Sequence, residues 1–213
     1  MARLRQLERR HRPRGQVRGT VPGARPKRPR LRSVRIIAGS RKGARIFAPK
    51  GLDTRPTADR VREAAFNLLG PGAAEEAKVL DLFAGSGAMG LEALSRGAAH
   101  ATFVESDREA CRTITRNLDK LGLDAATVLC QDALTALRAD YRQGTRYDLV
   151  LLDPPYRRFS SLQKAMIQHL PAILAPGGTL LVETAAEEEP DLPLAKRTTR
   201  RYGSARLTLF DAE

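Results

Sequence analysis

Apolar runs alternate with helical patterns along most of the chain. The run that begins at Val79 ends in a glycine-rich turn, and the helical pattern of Leu91 and Leu94 follows at once. Four more apolar runs predict strands at His100–Val104, Thr127–Cys130, Tyr147–Leu152 and Thr179–Glu183. Strands that alternate with helices predict an α/β fold with a mostly parallel, doubly wound sheet.

The two ends of this repeating unit predict hairpins. At the C-terminal end, the runs Arg197–Tyr202 and Ala205–Phe210 separate at Gly203 and Ser204, which predicts an antiparallel strand that closes the sheet. Before the unit, short runs at Val34–Ala38 and Arg45–Ala48 flank a basic, glycine-bearing loop. A predicted N-terminal hairpin therefore precedes the repeating unit.

A helix is predicted between this hairpin and the sheet. Thr57 is a candidate N-cap, and the pattern ends before Gly70 and Pro71. The apolar stripe consists of Val61, Ala65, Leu68 and Leu69. Three regions follow: a tail over residues 1–32, a hairpin and helix extension over 33–77, and a core over 78–213.

Charge sets the tail apart from the rest. The net charge is +13, and residues 1–32 hold twelve of the 37 Lys and Arg residues but one acid, so the tail carries +11 and the remainder +2. Proline and glycine interrupt the tail and no apolar periodicity is present, which predicts disorder. The functional hypothesis is a cationic arm that neutralises phosphates. An over-extended start and a solvated tail are open alternatives, and proline disfavours a mitochondrial transit peptide.

The remaining composition favours one cytoplasmic domain. A length of 213 residues suits a single domain with a sizeable core. Cys111 and Cys130 have no metal or redox spacing, and the three histidines are scattered, so no metal is expected. No apolar run reaches membrane-spanning length and no signal-peptide core follows the basic start.

The glycine-rich turn is the first candidate binding site. Gly85, Gly87 and Gly90 fit the G-x-G-x-x-G pattern, which is a weak signal alone and also suits a tight turn without a ligand. Asp81, at the end of the preceding strand, would repel the pyrophosphate of a dinucleotide. A sulfonium or ammonium group would instead be attracted. S-adenosylmethionine (SAM) carries both groups, so the pattern favours SAM over NAD.

Acidic residues also follow the next strands. Glu105 lies eighteen residues beyond Gly87 and could accept both ribose hydroxyls of a nucleoside. Asp132 could accept from an adenine amino group or serve as a helix N-cap. With Asp81 and Asp153, four acids are predicted at the carboxyl ends of strands, where α/β sheets bind ligands.

The sequence Asp153-Pro154-Pro155-Tyr156 predicts the chemistry. Two prolines fix the backbone and lack N–H donors, so the Asp153 carboxylate and the Pro154 carbonyl remain as acceptors. Two acceptors can hold the two hydrogens of an exocyclic amine and aim its lone pair at an electrophilic methyl group. Tyr156 offers a face on which an extruded base can stack. The structural alternative is a rigid turn after a strand.

Basic residues near the first helix and in the hairpin loop are candidates for contacts with RNA phosphates. Near the helix they could also help to close the cofactor site. These residues are Arg41, Lys42, Arg55, Arg60 and Arg62.

Taken together, these motifs resemble the class I SAM-dependent amino-methyltransferases. The RsmD family is closer still, through Arg35–Gly39, the helix from Arg55 to Asn67, and the turn Leu82–Ala88 with the helix up to Arg96. The resemblance spans about residues 34–210, and the arginine-rich tail departs from it. It implies a seven-stranded sheet and a SAM site formed by Asp81, Phe83, Gly85, Ser86, Gly87, Glu105, Asp132 and Asp153.

The resemblance also implies a reaction and its substrate. Asp153, Pro154 and Tyr156 would act in direct in-line methyl transfer to the N2 atom of a guanine in 16S rRNA of the small ribosomal subunit, a guanine-966-type site. A monomer without a metal is expected. Three alternatives stay open: a DNA adenine-N6 or cytosine-N4 methylase, a dinucleotide oxidoreductase, and a non-catalytic RNA-binding module.

Overall fold

The fold is that of a computed structural model, which describes residues 34–49, 56–155 and 159–213. Predictions for the tail, for Arg55 and for Tyr156 lie outside these residues. None of the described helices is long and apolar enough to cross a membrane.

Nine strands and six helices make up the described part of the chain. The strands are β1 (Val34–Arg35), β2 (Arg45–Ile46), β3 (Lys78–Leu82), β4 (His100–Glu105), β5 (Ala126–Cys130), β6 (Tyr147–Leu152), β7 (Leu174–Ala185), β8 (Ala195–Tyr202) and β9 (Ala205–Asp211). The helices are α1 (Pro56–Leu69), α2 (Ala88–Ser95), α3 (Arg108–Leu121), α4 (Ala133–Gln143), α5 (Phe159–Met166) and α6 (Leu170–Ile173).

Seven of the strands form one sheet in the order β5-β4-β3-β6-β7-β9-β8. Neighbouring strands from β5 to β7 are parallel, and β9 runs antiparallel to both β7 and β8. The prediction of a mostly parallel, seven-stranded sheet with an antiparallel strand near the C-terminus is therefore confirmed. The strand order reverses between β3 and β6, and α/β sheets bind ligands at such a switch point.

Helices cover both faces of this sheet because the strands are apolar on both sides. In β6, Leu149 and Leu151 face a core cluster that includes residues of α1, α2 and α3. Val150 and Leu152 face a second cluster that includes residues of α4, α5 and α6. This alternation follows the two-residue period of a strand.

The hairpin strands β1 and β2 are shorter than predicted, because side chains take the backbone bonds beyond them. Ile37 N and Ala38 N donate to the carboxylate of Glu92 instead of to the opposing strand. The backbone of Phe47 bonds to the side chain of Asn117. The predicted hairpin exists, and Ile36 bonds across it to Gly43 and Ala44, but Ile37, Ala38 and Phe47 bond to side chains of α2 and α3.

Two predicted element boundaries are wrong. Helix α1 begins at Pro56, so Thr57 lies inside the helix and is not its N-cap. Proline suits the first helical position because its missing N–H would have no intrahelical partner. Strand β7 is longer than the predicted Thr179–Glu183, because Leu174 pairs with Tyr147 and the far end pairs with β9 up to Ala205.

Candidate active site

The turn between β3 and α2 has an unusual backbone conformation. Phe83, Gly85 and Gly87 adopt φ angles of 62°, 55° and 77°. Glycine takes such angles without steric cost, whereas Phe83 is strained there. Strained residues persist where the surroundings hold them, and they concentrate at functional sites.

Gly90 is needed for packing rather than for its backbone angle. A Cβ atom at this position would lie 2.4 Å from Phe103 Cε1 and 3.1 Å from Asp81 Oδ2. Helix α2 can therefore approach strands β3 and β4 only with glycine here. The third glycine of the motif serves contact between helix and sheet.

Asp81 lies behind the turn. Its carboxylate is 2% exposed, and Oδ2 accepts a hydrogen bond of 2.9 Å from Gly90 N. Burial raises the pKa of Asp81 to about 7, against the opposing effect of the Gly90 bond, and the charge of Glu105 raises it further. Asp81 thus fixes the start of α2, and its charge is less available to a ligand than the sequence suggested.

Glu105 ends β4 and bridges two loops. Its Oε2 accepts from Gly85 N at 2.9 Å, and its Oε1 accepts from Ser106 N at 2.7 Å and from Asp107 N at 2.9 Å. A carboxylate has about four acceptor positions, so Oε2 can take a further donor. The carboxylate both shapes the turn and offers an acceptor beside it.

Asp132 caps helix α4. Its Oδ1 accepts from Leu134 N at 3.0 Å and Thr135 N at 3.1 Å. Of the two interpretations of Asp132, the structure therefore shows the helix N-cap. The side chain is exposed beyond the end of β5, and its contact with adenine stays a prediction.

Asp153 follows β6 directly, at the switch point of the sheet. Its backbone N donates to Leu82 O of β3 at 3.4 Å. The residue is exposed to solvent, yet enough protein atoms surround its carboxyl group to desolvate it. This desolvation, then the charges of Glu183 and Asp81, raises the pKa of Asp153 well above its usual value. Pro154 beside it is buried, and Pro155 is exposed.

The sequence interpretation missed Glu183 as part of this site. Glu183 lies on β7, next to β6 in the sheet, and its charge raises the pKa of Asp153. A signal was present, because the predicted fifth strand ended at Glu183 just as the other strands ended at acids. Raised pKa values of clustered carboxyl groups are typical of active sites.

Two of the predicted RNA-binding arginines make internal contacts. Arg41 Nε donates to Leu121 O at 2.5 Å, and its Nη2 donates to Gly122 O at 3.1 Å, which satisfies the C-terminus of α3. Arg62 is 4% exposed, and its Nη2 donates to Arg35 O at 2.6 Å and to Asp59 at 3.1 Å. Arg62 therefore has little surface to offer to RNA.

Lys42 and Arg60 are exposed, as the RNA interpretation requires.

Two cavities of about 570 and 530 Å³ lie around Arg146, at the amino edge of the sheet. None of the predicted site residues lines them. Across the three described ranges, no group of three or more His, Cys, Asp and Glu side chains could hold a metal ion.

Comparison with known proteins identifies the family. The profile of a family described as "Conserved hypothetical protein 95" matches residues 34–211. The chain is 45% identical over 125 residues to Ribosomal RNA small subunit methyltransferase D of Escherichia coli (strain K12), which covers 59% of this chain and 61% of that protein. It is 37% identical over 163 residues to the protein of the same name from Haemophilus influenzae, covering 76% and 81%.

A solved structure agrees with these sequence matches. The yhhF protein from Escherichia coli superimposes with a TM-score of 0.73 at 37% sequence identity, over 85% of this chain and 98% of that one. The family profile spans the hairpin, the glycine-rich turn and the whole sheet. The chain belongs to the RsmD family of methyltransferases.

Proposed function

We propose that this protein transfers a methyl group from SAM to the exocyclic N2 of a guanine in 16S rRNA of the small ribosomal subunit, at a guanine-966-type site. The observation that carries the proposal is the place of Asp153, next to Pro154 at the switch point of the sheet and beside the glycine-rich turn. Family membership and the names of the relatives support it. The expected setting is the cytoplasm, and the protein is expected to act as a monomer without a metal.

The residues around the turn fit SAM. Gly85 and Gly87 supply the positive φ angles of the turn, and Glu105 retains an acceptor position for a ribose hydroxyl beside Gly85. We assign the site to Asp81, Phe83, Gly85, Ser86, Gly87, Glu105, Asp132 and Asp153. When bound, SAM supplies an electrophilic methyl group on a sulfonium sulfur.

Asp153 and Pro154 would hold the target amine. The Asp153 carboxylate and the Pro154 carbonyl accept its two hydrogens, which turns the nitrogen lone pair toward the cofactor side. Orientation of this kind can supply roughly 7–11 kcal/mol of a barrier. Because its pKa is raised, Asp153 is also a better proton acceptor than an ordinary aspartate once the amine acquires its new bond.

The remaining predicted residues would contact the RNA. Tyr156 would stack on the target base, and Lys42, Arg55 and Arg60 would contact phosphates. Arg41 and Arg62 would support this surface through their internal contacts.

The test uses small ribosomal subunits that lack methylation at the target site. We expect the protein to transfer labelled methyl from SAM, and nucleoside mass spectrometry to find N2-methylguanine. Asp153→Ala should bind SAM in calorimetry nearly as the parent does, while methyl transfer falls by orders of magnitude. Retained turnover would remove Asp153 from the reaction, and N6-methyladenine or N4-methylcytosine would indicate another amino-methyltransferase.

A further inference from the structure

Asn117 of α3 is a buried amide that joins two separate parts of the chain. Its side chain is fully buried, at 0% exposure. Oδ1 accepts from Phe47 N at 2.7 Å, while Nδ2 donates to Phe47 O at 3.0 Å and to Ser86 O at 3.1 Å. The amide thus pairs with Phe47 as a strand would, and its second N–H holds the glycine-rich turn.

From these contacts we infer that Asn117 is a positioning residue. It sets the shape of the glycine-rich turn and makes that shape depend on the N-terminal segment, defined as residues 34–49. The inference rests on the proposed function in so far as the turn binds SAM.

The turn needs such support because its backbone is strained. Phe83, Gly85 and Gly87 all have positive φ, and strained conformations persist only when neighbouring groups fix them. Three side chains do so here: Asp81 holds Gly90 N, Glu105 holds Gly85 N, and Asn117 holds Ser86 O. Asp81 and Glu105 belong to strands beside the turn, whereas Asn117 also holds the N-terminal segment.

Phe47 is itself fixed on the surface of α3. The guanidinium of Arg116 lies 3.6 Å from the centroid of the Phe47 ring, and Lys120 Nζ lies 4.5 Å from it. Such cation–π contacts attract the ring to the helix. A shift of the N-terminal segment would therefore move Phe47 relative to α3 and disturb the bonds of Asn117.

A link between two binding regions has a thermodynamic consequence. Lys42, a proposed RNA contact, belongs to the N-terminal segment, and Ser86 belongs to the proposed cofactor turn. If RNA binding orders the segment, it favours the turn geometry that binds SAM, and SAM must then favour RNA binding by the same factor.

The test compares Asn117→Ala and Asn117→Asp with a matched control, Ser95→Ala. Ser95 Oγ accepts from Arg41 N at 2.9 Å and donates to Ala38 O at 2.6 Å, so the control loses side-chain bonds to the same segment but none to the turn. With calorimetry well below the unfolding temperature, we expect the Asn117 variants to bind SAM about three- to tenfold more weakly. Ser95→Ala should bind SAM as the parent does.

A second measurement needs no cofactor. Hydrogen exchange at the amides of Gly85 to Gly87 should accelerate in the Asn117 variants and not in Ser95→Ala. Equal exchange and equal SAM affinity in all folded variants would overturn the inference. Losses in Ser95→Ala as large as those in Asn117→Ala would also overturn it, because they would give Asn117 no specific part in shaping the turn. A parent protein that binds no SAM would contradict the proposed function, while the exchange result would still decide the role of Asn117.

A third variant tests the connection through Phe47 and can replace an Asn117 variant that fails to fold. Phe47→Ala removes the ring that Arg116 and Lys120 hold but leaves Asn117 in place. We expect it to weaken SAM binding, and we expect the double variant with Asn117→Ala to lose no more than Asn117→Ala alone. Fully additive losses, or no loss in Phe47→Ala, would contradict the connection.

Discussion

The carboxyl groups at the candidate site are set apart by their surroundings. Asp132 is exposed and caps a helix, Glu105 accepts three backbone N–H bonds, and Asp81 and Asp153 have raised pKa values. The pKa of Asp81 is about 7, so this carboxyl group holds its proton into the neutral range, and the pKa of Asp153 is raised well above its usual value. The surroundings of Asp81 and Asp153 therefore favour the protonated form of these two carboxyl groups.

Asp153 should impose a pH dependence on methyl transfer. In the proposed reaction the deprotonated carboxylate accepts the amine hydrogens, and the pKa of Asp153 is raised by desolvation, then by the charges of Glu183 and Asp81. We expect the single-turnover rate to rise with pH through this raised pKa. Glu183→Gln removes one of the charges that raise the pKa, so the midpoint of its profile should shift to lower pH.

The control for this profile is Glu187→Gln, which alters an exposed acid paired with Arg201. Its midpoint should equal that of the parent. A midpoint that is the same in Glu183→Gln and in the parent would show that a group other than Asp153 controls the rate.

Asp81 should make folding stability depend on pH. Its pKa is about 7 in the folded protein, whereas 3.8 is the ordinary value that applies to the unfolded chain. Between these two pH values the folded state holds a proton that the unfolded chain has lost. The contribution of protonated Asp81 to the free energy of unfolding is therefore complete below about pH 4 and is lost as pH rises to about 7. Asp81→Asn keeps an acceptor for Gly90 N but cannot ionise.

We expect the free energy of unfolding of Asp81→Asn to gain on the parent by roughly 4 kcal/mol between those pH values. Urea unfolding without cofactor at several pH values measures this difference. Because both proteins contain the other acids, their difference isolates Asp81 apart from its effect on Asp153. Parallel pH curves for the two proteins would show that Asp81 is ionised throughout.

At the scale of elements, the sheet could be predicted because its signals are local. Strand β6 has the predicted bounds Tyr147–Leu152, since apolar residues end at an acid and two prolines. The glycine that ends α3 also acts as expected, because Gly122 has a φ of 59°. Local patterns thus predicted most strands and the carboxyl edge of the sheet, where the candidate site lies.

What could not be predicted depends on contacts between distant residues. Glu92 is a polar position in the α2 pattern, yet it is fully buried because it binds Ile37, which is 55 residues away in sequence. Arg62 was interpreted as an RNA contact, but its guanidinium lies 3.8 Å from Glu92. A charge pattern alone does not distinguish an exposed cation from one that balances a buried acid.

We expect Glu92 to stabilise the N-terminal segment, and to contribute more to the stability of the fold than an exposed ion pair such as that of Glu187 with Arg201. Glu92 accepts from Ile37 N at 2.7 Å, Ala38 N at 2.9 Å and Arg96 Nε at 2.8 Å. Glu92→Gln keeps part of this geometry but removes the buried negative charge that faces Arg62, which then has Asp59 as its acidic partner. We expect the free energy of unfolding to fall by roughly 3 kcal/mol, since breaking a buried pair is costly.

The matched control for Glu92→Gln is Glu187→Gln, whose partner Arg201 and whose own side chain are both largely exposed. Its effect should stay within about 0.5 kcal/mol. Hydrogen exchange should also show faster exchange at Ile37 and Ala38 in Glu92→Gln only. Similar losses in the two variants would mean that Glu92 does not anchor the segment.

At the scale of the whole molecule, most of the positive charge lies in a different part of the sequence from the candidate active site. Residues 1–32 carry +11 and the remaining chain +2, although the proposed substrate is a polyanion. Long-range attraction therefore falls to the tail or to a few cations on the ordered surface, such as Lys42 and Arg60. These two sources predict different salt dependence.

Deletion of residues 1–32 should weaken RNA binding and flatten its dependence on salt. Each neutralised phosphate adds about 0.7–0.9 to the slope of log K against log salt, so the loss of several contacts is measurable. SAM affinity should not change, because the glycine-rich turn and the strand ends lie in the part that remains. If Lys42 and Arg60 supply the attraction instead, the truncated and full-length proteins will have equal slopes. Lys42→Glu with Arg60→Glu will then show the loss, and the tail will have no part in RNA binding.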